Sequence, residues 1–119
     1  MVEMSESKLK KRNYLERKPL RNQKILWEYD DENKVVLKVA NTGFFNRVAQ
    51  GILKKPEISH IHLDENGSFL WALSDGEKTI TELGVLVKKQ FGEKAEPLYE
   101  RLVKYFAILE SYKFIEFRD

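Results

Sequence analysis

HLDENGSFLWALSDGEKTITEL, residues 62–83, packs several folding signals into one short run. Asp64 stands where it can cap a helix running to about Ser74. The apolar residues of that helix, Phe69, Leu70, Trp71 and Leu73, nearly surround it, so it is expected to sit wedged between other elements. Asp75 and Gly76 form a turn signal, and their expected role is to shape that turn. Thr79 and Glu82 then have the spacing of a capping box, in which each side chain satisfies the other residue's backbone N–H. The stretch reads as helix, tight turn and capped helix, with no constellation suited to catalysis.

Downstream, Ile80, Leu83, Leu86, Val87 and Phe91 make one helical stripe, which Gly92 ends. Pro97 suits the first turn of a third helix. The buried stripe of that helix is Leu98, Leu102, Tyr105, Phe106 and Leu109, and residues 113–117 read as a closing strand. Upstream, residues 25–29 and 34–39 are two β-rich runs around the polar turn 30–33, which predicts a hairpin. Val35, Leu37 and Val39 fall on one of its faces, with Lys34 and Lys38 on the other. After a break at Asn41, Thr42 and Gly43, residues 44–53 have near-helical spacing, and Lys54, Lys55 and Pro56 end that run. Residues 58–63 make a third strand, in which Ile61 and Leu63 alternate with His60 and His62.

The expected class is therefore α+β: a winged helix-turn-helix-like core of three helices, preceded by a small three-stranded antiparallel sheet and followed by a short strand. Residues 1–18 are expected to be a flexible basic arm. Residues 19–119 form the domain, starting at Pro19, with 41–57 as a helical insertion.

The totals bound this further. A chain of 119 residues with 42% apolar content fits one soluble domain with a modest core. No run approaches the ~20 apolar residues of a membrane span, and the N-terminal segment lacks the apolar stretch of a secretory signal. Cysteine is absent, which excludes disulfides and thiolate chemistry within the chain and fits a cytoplasmic setting. The net charge of +2 is uneven: residues 1–24 hold eight Lys/Arg against three Glu, or +5, leaving −3 for the remainder. Such an arm is usually a solvated tail, and it can also meet phosphates or an acidic partner.

Residues 63–87, LDENGSFLWALSDGEKTITELGVLV, resemble the signature of PqqD-like domains. The matching residues are Leu63, Gly67, Leu70, Trp71, Leu73, Asp75, Gly76, Thr79, Ile80 and Leu83, and the resemblance extends over about residues 19–118. Its departures are the insertion at 41–57 and the long arm. The resemblance implies a peptide-recognition module (a RiPP recognition element or peptide chaperone) without catalytic activity and without a cofactor. Such a domain holds the leader of a ribosomally made precursor peptide and presents it to a modifying enzyme, often a radical S-adenosylmethionine protein. The leader lies as an added strand on the third strand, in a groove walled by the third helix.

The residues permit that role. Strand addition needs a free edge with regular alternation and no internal proline. Ile58, Ser59, His60, Ile61, His62 and Leu63 meet this, because Pro56 precedes them. From the third helix, Tyr99, Leu102, Val103 and Phe106 are the expected lining. Leu102 and Phe106 lie at the centre of the apolar stripe, where core packing is the ordinary role. Tyr99 and Val103 lie at its margin. Trp71 is expected in the core. An open strand edge allows either a monomer or a domain-swapped dimer.

Two other classes compete. A winged helix suggests DNA binding or transcriptional regulation, but the polar face of the third helix carries Glu96, Glu100 and Glu110 against Arg101 and Lys104. That balance disfavours nucleic acid. His60, His62 and Asp64, at alternate positions, would share a face if the strand continued, as in a metal site of two histidines and a carboxylate. Capping by Asp64 competes with that arrangement, and no fourth ligand is evident, so no metal is expected.

Overall fold

Alternation in the strands and capping in the helices both carry over into the structure, a computed structural model that describes residues 13–40 and 58–118. The described elements are β1 (Pro19–Arg21), β2 (Leu26–Tyr29), β3 (Val35–Ala40), β4 (Ile58–His62), α1 (Glu65–Leu73), α2 (Ile80–Phe91), a short 3-10 turn (Gly92–Ala95), α3 (Leu98–Ser111) and β5 (Ile115–Phe117). The fold is α+β, with small antiparallel sheets and several helices. The helix expected over 44–53 and residues 1–12 of the arm lie outside the described residues.

The polar turn between β2 and β3 is closed by its own first residue. Asp30 Oδ1 accepts from the backbone N–H groups of Glu32 and Lys34 at 2.8 and 2.9 Å. Asn33 takes the left-handed φ of 62°, which Asn tolerates better than most residues. The Lys34 N–H is the main cause that holds the Asp30 carboxyl below the usual carboxylate range. Strand order is β2-β3-β4, and Leu37 lies opposite both Trp27 and Ile61. Val35 and Leu37 are fully buried and Val39 partly so, on the face that meets the helices.

The three helices, with Phe114 and Ile115, complete the core. Asp64 caps α1 by accepting from Gly67 N–H at 2.7 Å. Ser68 reaches back to the sheet, its hydroxyl accepting from Val35 N–H at 2.7 Å. The buried large apolar residues of α1 are Leu70 and Trp71, at 4% and 0% exposure. The capping box forms as expected: Thr79 Oγ1 accepts from Glu82 N–H at 3.1 Å, and Glu82 Oε1 accepts from Thr79 N–H at 3.0 Å. α2 packs closely on α3, since a Cβ on Gly84 would sit 2.8 Å from Leu102 Cδ1.

One strand has no counterpart in the sequence expectation. β1 pairs antiparallel with β5, Pro19 opposite Phe117 and Arg21 opposite Ile115. Its other side meets the turn after α1, through Arg21 N–H to Ser74 O and Gly76 N–H to Pro19 O at 3.0 and 2.9 Å. Three residues with one large apolar member give no period to read, and both partners are remote in sequence. Arg21 also places Nη1 on the carbonyls of Trp71 and Ala72 at 3.1 and 2.7 Å, a cation at the negative end of α1.

Residues 13–18, assigned to the arm by charge, are docked on this body. Tyr14 and Leu15 pack against the core. Ile80 N–H donates to Arg17 O at 3.0 Å, and Thr81 Oγ1 donates to Leu15 O at 3.0 Å. The Arg17 guanidinium lies 4.0 Å over the Phe117 ring. The ordered body therefore begins upstream of Pro19.

Candidate functional site

β4 has β3 on one side, and among the described residues no strand pairs with its other side. The direction of its backbone groups follows from one bond. Leu63 N–H donates to Val35 O at 2.9 Å, so Leu63 and Val35 are a hydrogen-bonded pair. Hydrogen-bonded and non-hydrogen-bonded pairs alternate in an antiparallel ladder. With the observed register, Ile61 and Ser59 turn their backbone groups toward β3, while Ile58, His60 and His62 turn theirs toward the open edge. Side chains alternate as well: Ser59, Ile61 and Leu63 are partly buried, and Ile58, His60 and His62 are exposed.

Beside this edge lies a groove of about 610 Å³. Its sheet wall is Val39, Ser59, Ile61 and Leu63, and its other wall is Tyr105, Ile108, Leu109, Tyr112 and Phe114. The lining is apolar apart from Ser59 and two tyrosine hydroxyls. Burial, with the Asp64 carboxylate adding to it, pushes the Tyr105 pKa far above the usual tyrosine value. The Tyr105 hydroxyl donates to Gly67 O at 2.7 Å. Gly67 is what lets the ring approach: a Cβ there would meet Tyr105 Cε2 at 3.1 Å and Asp64 Oδ1 at 3.0 Å. A glycine in the quoted stretch thus sets one wall of the groove.

The six strand positions expected at the site, Ile58, Ser59, His60, Ile61, His62 and Leu63, form the open edge and part of the wall. The four helical positions do not join them there. Leu102 and Phe106 are core residues at 2% and 0% exposure, with Leu102 also at the floor of a separate cleft between α1, α2 and α3. Tyr99 and Val103 lie about 170° around α3 from the row of Tyr105 and Ile108, given 3.6 residues per turn. Their flank is that of Glu110, which pairs with Arg17 at 3.7 Å. Tyr105, Ile108 and Tyr112 carry the wall instead. Their spacing of three and four residues is a helical signal, but Arg101 and Lys104 interrupt the row toward the N-terminus and hide it.

The metal arrangement does not form. Asp64 turns to cap α1, and among the described residues no three His, Cys, Asp or Glu side chains come together as a metal site. No helix among the described residues is long and apolar enough to cross a membrane. Among the described residues, a hollow flanks the groove at either end. One, beyond Tyr105, is the α1–α2–α3 cleft of about 300 Å³, where Asp64 faces Arg101 and Lys104. The other, beyond Tyr112, measures about 400 Å³ and shares Val39, Tyr112 and Phe114 with the groove. Compared with protein-family models, curated proteins and solved structures, the chain matches none.

Proposed function

We propose that this chain is a peptide-binding module of the PqqD-like kind, with α1, α2, α3 and β5 as its winged-helix portion. It takes an extended peptide as an added strand on β4. One observation carries this reading: the backbone groups of Ile58, His60 and His62 face an open edge directly beside an apolar groove. Main-chain bonds along such an edge supply affinity, and alternate side chains of the guest drop into pockets and supply specificity. In this reading the module is not itself an enzyme. It holds the leader of a precursor peptide and raises the effective concentration of the attached core at a modifying enzyme, for example a radical S-adenosylmethionine protein.

The test is an NMR titration of isotope-labelled protein with short peptides encoded beside its gene. Amide shifts are expected along residues 58–63 and at Tyr105, Ile108 and Tyr112. Shifts confined to the α2 surface or to the Tyr99 and Val103 flank would sink the strand-addition model.

A further inference from the structure

Among the described residues, the hollow at the Ile58 end of the groove has one sign of charge. Its described lining includes Lys24, Lys38 and Lys113 and no carboxylate. Lys38 is paired with Glu28 at 3.3 Å, but among the described residues Lys24 and Lys113 have no ion pair. The opposite end of the groove is mixed: Asp64 stands with Arg101 and Lys104 in the α1–α2–α3 cleft, and on the outer side Asp30, Asp31 and Glu32 surround Lys34 and His62. That end selects no single charge. An unbalanced cationic hollow continuous with an apolar groove discriminates among guests by charge complementarity, because like charges placed there repel.

We infer that the peptide held by the groove carries one or more carboxylates just beyond its added strand, at the Ile58 end, where Lys24 and Lys113 meet them. This rests on the strand-addition reading. Antiparallel pairing is the commoner arrangement, and it places those acids on the C-terminal side of the guest strand. Apolar side chains seat against Tyr105, Ile108 and Tyr112, and the acidic step that follows fixes the register.

The test uses the full chain and a phage-displayed library of random dodecapeptides, with His60→Pro protein as counter-selection to discard peptides that do not need the β4 edge. Selected peptides are expected to combine alternating apolar residues with Asp or Glu on the C-terminal side. One such peptide is then synthesised with its acids and with Asn or Gln in their place. Two exposed ion pairs predict about 2- to 30-fold weaker binding for the amide version, and high salt should erase the difference. The double variant Lys24→Glu/Lys113→Glu should lose the preference for the acidic over the amide peptide, and urea denaturation checks that it folds; a retained preference overturns the charge inference. Equal binding of the acidic and amide peptides at low salt overturns the charge inference and leaves strand addition standing. Acids enriched on the N-terminal side overturn the antiparallel placement. Recovery of no edge-dependent peptide overturns both this inference and the reading beneath it.

Discussion

Adjacent residues of β4 should respond to proline in opposite ways. The His60 N–H faces the open edge, so His60→Pro removes no bond to β3. Edge strands tolerate proline when the missing N–H points outward, and the extended Ser59 before it already suits a following proline. The cost in stability is expected to be within the ~1 kcal/mol span of β propensity. The Ile61 N–H faces β3 opposite Leu37. Ile61→Pro strands the Leu37 carbonyl and gives up a partly buried side chain, about 2–5 kcal/mol in all. That is a large share of the 5–15 kcal/mol typical of a domain. For peptide binding the order reverses in interest. His60→Pro leaves a guest carbonyl unpaired, at about 1–3 kcal/mol, or roughly 5- to 150-fold in affinity. His60→Ala keeps the N–H and should bind within about 2-fold, since main-chain bonds carry this edge. Urea denaturation gives the stabilities, and fluorescence anisotropy with a selected peptide gives the affinities. If His60→Pro is as unstable as Ile61→Pro, the assignment of backbone directions is wrong. If it folds and binds like the wild type, strand addition is wrong.

Other consequences are equally concrete. Tyr105→Phe leaves Gly67 O without its buried donor and should cost about 1–3 kcal/mol by denaturant titration, and Gly67→Ala should disturb the same contact by crowding the ring. Thr79→Ala should cost about 0.5–2 kcal/mol as a lost helix cap. Glu82 is held below its ordinary value, mainly by the Thr79 N–H, so its contribution is present at neutral pH and disappears as pH falls through the lowered value; Glu82→Gln should flatten that part of a stability-against-pH curve. Tyr14 is pushed up to about 12 by burial and then by Glu110. A raised acid pKa stabilises the fold below the unfolded value and loses that contribution above it, so stability should decline from about pH 10 upward. Phenolate absorbance should show that Tyr14 and Tyr105 ionise above the ordinary phenol range; absorbance changes of Tyr14→Phe and Tyr105→Phe that remove only ordinary-range phenolate would contradict their burial.

What was legible in the sequence was local. Asp64, Thr79 and Glu82 announce their caps because capping is decided within a few residues, and the alternation through Val35, Leu37, Ile61 and Leu63 announces which strand face is buried. The β1–β5 pairing was not legible, because its register depends on residues nearly a hundred positions apart. The helical wall of the groove was missed for a different reason. An apolar stripe identifies the centre of a buried face, here Leu102 and Phe106, whereas a groove is built from the margin of that face. Which margin is used depends on where the sheet lies, so the side carrying Ile108 and Tyr112 and the side carrying Tyr99 and Val103 cannot be told apart until β4 is placed beside one of them.

The β1–β5 pair also fixes how the domain bears load. Lys18 and Arg118 are joined by the bond from Arg118 N–H to Lys18 O, at 2.8 Å, so the chain enters β1 and leaves β5 side by side, just inside the docked residues 13–17. Tension that has first pulled residues 13–17 from α2 and the core then opens this antiparallel pair as a zipper, one bond at a time, instead of shearing all its bonds together. Peeling β1 away would next strip Arg21 from the end of α1 and Pro19 from Gly76, loosening the helix whose glycine seats Tyr105. A pull on the tethers is thereby transmitted to the groove before the central sheet is touched.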